Sequence, residues 1–213
     1  MLRKTARLFA GLAWLMLVIL YAQDAQQIVS AQTPTAKPTP ATAEKKPAAP
    51  KLTNAKKIAL AMSAGPAEIS RNATIIDMTD MSAGPPKPLR AGTNGWVCSA
   101  SLDMPMCLDK EGQKWADAWM SKSEPKLTGT GIAYMLRGDK GASNTDPYAT
   151  APTADNQWVV SPSHIMVLYS DPKMLDAYPT DPKSGGPWVM WKGTPYAHVM
   201  VPVSPTKAAM MSK

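Results

Sequence analysis

Pro195-Tyr-Ala-His-Val-Met-Val-Pro-Val203 reads as a strand, and Pro162-Ser-His-Ile-Met-Val-Leu168 reads as its earlier echo. Each opens on a proline and carries a histidine and a methionine two residues apart in an apolar, β-branched run. Side chains two apart share one face of a strand, so His164 stacks beside Met166 and His198 beside Met200. These are the chain's only histidines. The opposite faces carry Ile165, Val167 and Tyr169 on one strand and Val199, Val201 and Val203 on the other. Their β-branched character predicts that these faces form the core, with both His/Met pairs pointing the same way relative to it. If the two strands are neighbours, His164, Met166, His198 and Met200 form one cluster. Imidazole with thioether selects copper over zinc or magnesium, and reduced copper in particular. The 15 methionines against a single phenylalanine fit that donor chemistry. The bland alternative is methionine filling core gaps and neutral histidine held by a carbonyl or carboxylate.

Between the predicted strand at 131–136 and the first His/Met strand lies a polar stretch, residues 137–157, with the length of a functional loop. Asp146, Asp155 and Asn156 are its candidate ligand-binding residues. They supply the alternative reading, an enzyme or small-molecule binder built on this loop. Paired carboxylates could be drawn from Asp139, Asp146 and Asp155, but their spacing does not place them together. The stretch lacks the calcium-loop pattern, and Asx side chains in such loops commonly cap their own turns. No nucleophile elbow, phosphate-binding glycine loop or His-Glu-x-x-His motif occurs, so no catalytic residue can be assigned.

The clearest helix is predicted over 109–122, capped by Asp109 and stopped by Pro125. Leu108, Gly112, Trp115, Ala116, Trp119 and Met120 fall on one stripe that faces the core. A shorter helix is expected over 55–63, ended by Gly65-Pro66. Strands are expected over 73–78 and 158–160, a turn of helix over 173–177, and a hairpin from 187–191 and 196–203. Strand following strand, with two or three short helices, predicts a single α+β domain around a largely antiparallel sheet over 58–203.

Trp115-Ala-Asp-Ala-Trp119, Thr153-Ala-Asp-Asn-Gln-Trp158 and Met190-Trp-Lys-Gly-Thr-Pro-Tyr-Ala-His198 resemble segments of a family of secreted bacterial proteins with no assigned activity. The resemblance covers about residues 57–203. It implies an exported compartment and carries no mechanism.

The ends of the chain agree with export. Arg3, Lys4 and Arg7 precede a 15-residue apolar run over 8–22, short for a bilayer span of about 20 but right for a secretory signal. Val29-Ser-Ala31 predicts cleavage before Gln32, making 1–31 a signal peptide, with an uncleaved membrane anchor as the alternative. Residues 32–57, rich in Pro, Ala, Thr and Lys, predict a disordered linker, and 204–213 a flexible tail. The protein is thus expected in the periplasm or secreted. The linker holds six Lys and one Glu, whereas 58–213 holds 14 basic and 14 acidic residues. The net charge of +7 therefore lies outside the domain, which excludes a nucleic-acid partner and leaves only weak contact of the linker with membrane or cell wall. Cys98 and Cys107, the only cysteines, predict one disulfide closing a short surface loop, worth roughly 2.7 kcal/mol.

Overall fold

Four strands of the C-terminal half form the middle and one edge of a single large sheet. The computed structural model describes residues 51–203. The predicted signal peptide, all of the linker before residue 51 and the tail lie outside them. In chain order the elements are α1 (Asn54–Met62), α2 (Ala67–Ser70), β1 (Thr74–Asp77), β2 (Lys87–Arg90), β3 (Val97–Ala100), β4 (Met106–Leu108), α3 (Lys110–Ser121), β5 (Gly131–Met135), β6 (Ala142–Ser143), β7 (Trp158–Val159), β8 (His164–Leu168), β9 (Trp188–Met190) and β10 (His198–Pro202). Short 3-10 turns occupy Met81–Ala83 and Pro172–Ala177. α1 begins at Asn54, inside the stretch assigned to the linker, because Thr53 caps it by accepting from the Lys56 amide.

Eight strands run in the order β2-β1-β3-β4-β5-β8-β10-β9, and β6 pairs with β7 apart from them. Every pairing in the large sheet is antiparallel except β1 with β3. The α+β architecture with a largely antiparallel sheet is therefore as expected, and so is the β9–β10 hairpin.

Both faces of the sheet are covered, which changes the assignment of the core. The β-branched face carries Val167, Val189, Val199 and Val201, packed with Leu175 into a small cluster. The largest cluster lies on the opposite face, where Met135, Met166, Leu168, Trp188, Met190 and Met200 meet Trp115, Ala116 and Ala118 of α3. The His/Met face is thus the main core and not the face turned away from it. The expectation failed because β-branched residues report strand propensity, while burial is decided by which face the long amphipathic helix covers.

Asp109 sets that helix in place. One carboxylate oxygen caps α3 by accepting from the Gly112 amide at 2.7 Å, and the other accepts from the Ile132 amide of β5 at 2.9 Å. Gly112 permits the close approach, since a Cβ there would stand 3.1 Å from the Ile132 carbonyl oxygen.

The disulfide forms between Cys98 and Cys107 and closes the short β3–β4 loop, whose tip at Leu102 and Asp103 is exposed, but the sulfurs themselves are buried. The two residues face each other across paired strands β3 and β4, both fully buried. They pack beneath α1 with Ala61, Ala64, Ala73, Ile75 and Ala100.

Candidate functional site

β8 and β10 are adjacent and antiparallel, so the two His/Met pairs do reach one face of one sheet. Register decides how they meet. Met166 stands directly opposite Met200, whereas His164 stands opposite Pro202. The backbone positions of the two histidines therefore lie at opposite ends of the methionine pair, four residues apart along the strands, about 13 Å at 3.3 Å per residue. The four side chains still line one cavity of about 100 Å³ beneath α3. That volume holds a few waters or desolvated ions and falls well below the 300 Å³ or so of a typical organic-ligand pocket.

Each imidazole is held in the same way. His164 Nδ1 lies 2.7 Å from the Pro162 carbonyl oxygen, and His198 Nδ1 lies 2.9 Å from that of Tyr196. A carbonyl only accepts, so Nδ1 carries the hydrogen and Nε2 carries a lone pair. The His164 Nε2 is buried and without a hydrogen-bond partner. Leaving a buried acceptor unsatisfied costs about 1–3 kcal/mol, so this atom is an expense of the fold with no structural return. Burial pushes His198 down to about 4; the Tyr196 carbonyl opposes the shift and the neighbouring His164 adds to it. His164 is likewise lowered by burial, against the opposing pull of the Pro162 carbonyl and Asp139. Both rings are thus neutral and ready to donate at ordinary pH.

Sequence reading missed four of the six thioethers. Met104, Met106, Met135 and Met190 line the same cavity as Met166 and Met200. Met135 was legible as an inward position of β5, but nothing in the sequence paired β5 with β8. Three tryptophans complete the wall beside His198. Trp115 and Trp191 stack at 5.8 Å, Trp119 lies about 6 Å from each, and the His198 ring meets Trp115 and Trp191 edge-on at 5.3 and 5.0 Å. Trp191 adopts a left-handed backbone, φ 58°, that non-glycine residues rarely take. Asn144 helps hold it there: the Asn144 carbonyl accepts from the Trp191 amide, and the neighbouring Ser143 carbonyl accepts from the Trp191 indole.

The 137–157 stretch is a strap over this site. Buried Asn144 donates from its side-chain amide to Gln157 Oε1 and the Thr180 carbonyl, and accepts from the Trp188 indole. Asn156, also buried, donates to the Ala151 carbonyl and accepts from the Thr153 amide. Its amide is thus committed to the loop itself. Asp146 is exposed at the cavity's edge and accepts from the Tyr148 amide, and Asp155 is exposed. Asp155 and Asn156 do not line the cavity, so the three candidate ligand-binding residues do not converge there. Asp139, which does line it, accepts from the Gly141 and Ser161 amides.

A larger, mostly apolar groove of about 640 Å³ runs alongside, between α3 and strands β1, β3 and β4. Met104, Met106, Trp115 and Trp119 line both spaces and so form the wall between them. Among the described residues, no group of three or more His, Cys, Asp or Glu side chains is placed to hold a metal ion. The potential donors lining the cavity are two imidazoles, six thioethers and, at its edge, the carboxylates of Asp139 and Asp146. Among the same residues no helix is long and apolar enough to cross a membrane. No family model matches the chain, and neither a curated protein nor a solved structure is found to match it.

Proposed function

We propose that this is an exported binding domain that holds reduced copper in the cavity beneath α3. The reading rests above all on the His164 Nε2 lone pair, buried and unpartnered on a face where six thioethers line the same space. Thioether with neutral imidazole is a soft donor set, suited to copper(I) and poor for magnesium, calcium or zinc. The half-buried Asp139 and exposed Asp146 at the cavity's edge favour a cation over an anion. The small volume favours an ion over an organic molecule. Export is part of the proposal and is carried by the basic start, the 15-residue apolar run and the cross-strand disulfide.

Anaerobic titration of the purified protein with copper(I) against a chromogenic chelator tests it. Stoichiometric binding is expected, with zinc and magnesium failing to compete. His164→Ala should weaken it at least tenfold while leaving the circular-dichroism spectrum unchanged. A protein that leaves all copper(I) on the chelator would sink the reading.

A further inference from the structure

The cavity contains the same arrangement twice. His164 has Met166 two residues on along β8 and Met135 directly opposite on β5. His198 has Met200 two residues on along β10 and Met190 directly opposite on β9. In each case the methionine opposite comes from the outer neighbouring strand, and Nδ1 is engaged by the carbonyl two residues back. Directly opposed residues place their Cβ atoms about 5 Å apart, and i, i+2 neighbours stand on one face, so each imidazole has two thioethers within side-chain reach. The two sets are related by an approximate two-fold axis between β8 and β10, passing through the Met166/Met200 pair. A single ion held by both imidazoles would need their nitrogens about 4 Å apart, twice an ordinary metal–nitrogen distance. The register instead separates the two backbone positions by about 13 Å along the strands and places the Met166/Met200 pair between them.

We infer that the domain holds two copper(I) ions, one on His164, Met135 and Met166 and the other on His198, Met190 and Met200. This rests on the copper reading of the cavity and adds its stoichiometry and two ligands, Met135 and Met190. Two like charges in one small space repel, so the second ion binds more weakly than the first, by roughly tenfold.

Silver(I), a redox-inert stand-in, serves as the probe in native mass spectrometry and in ¹⁵N NMR of the two imidazoles. The wild-type protein should take up two equivalents, and each Nε2 resonance should shift at its own point in the titration. Met135→Leu should lose one equivalent and leave His164 unshifted, whereas Met190→Leu should lose the other and leave His198 unshifted. Leucine keeps nearly the volume of methionine, and an unchanged amide spectrum of the apoprotein confirms that each variant folds. One equivalent that shifts both imidazoles together overturns the two-site arrangement and leaves the functional reading standing. Loss of both equivalents in either single variant also overturns it. No silver bound at all removes both proposals.

Discussion

The neutral ring of His198 carries a pH dependence of its own. Its folded value, about 4, lies below the ordinary 6.5 because burial penalises the charged form. Between those values the unfolded chain holds a proton that the folded protein refuses. Stability therefore rises with pH across this window and falls on acidification, by about 1.4 kcal/mol per pH unit from this one residue. His164, shifted the same way, adds to the slope. Urea unfolding of the apoprotein should show the loss beginning near pH 6.5, well above the range where carboxylates protonate. A midpoint that does not move between pH 7 and pH 5 would mean that the rings are charged in the fold. On the proposed copper reading, affinity should for the same reason persist well below pH 6.5, where an ordinary imidazole would place its decline. At this scale the strand period was enough to put His164 with Met166 and His198 with Met200. Met135 and Met190 could not be found that way, because a residue's cross-strand partner depends on strand order, which local spacing does not encode.

Among the elements, α3 decides the most. Its cap, its apolar stripe and its end were legible, since each is a local pattern of a few residues. What it covers was not legible, and the core was consequently assigned to the wrong face of the sheet. The link is Asp109, which serves both the helix amide of Gly112 and the strand amide of Ile132. Removing it should lose a cap worth about 1 kcal/mol and a charge-assisted bond worth somewhat more. Asp109→Ala is expected to destabilise by about 2–3 kcal/mol in urea unfolding, and Asp109→Asn by roughly half. An Asp109→Asn variant as stable as the wild type would show that only one of the contacts matters. The 137–157 strap illustrates the other limit of sequence reading. Its Asx residues look the same whether they await a ligand or are spent on the fold: Asn156 binds the loop's own backbone and Asn144 reaches out to the Thr180 carbonyl.

For the whole molecule, the disulfide's burial has a consequence in time. The sulfur pair sits beneath α1, and the turn that ends the helix is so close that a Cβ on Gly65 would stand 2.8 Å from the Cys107 sulfur. A dissolved thiol needs a line of approach to one sulfur, and here the helix occupies it. Reduction must therefore wait for α1 to lift. α1 is fastened to the sheet partly by Lys57, whose Nζ lies 2.6 Å from an Asp77 carboxylate oxygen at the end of β1. Breaking that partly buried pair with Lys57→Met should free the helix by about 1 kcal/mol and speed reduction by dithiothreitol roughly fivefold under native conditions. Reduction of the wild type as fast as that of an exposed disulfide would show that the helix shields nothing. The bond then behaves as a clock for one helix, so that its lifetime among dissolved thiols counts the openings of α1.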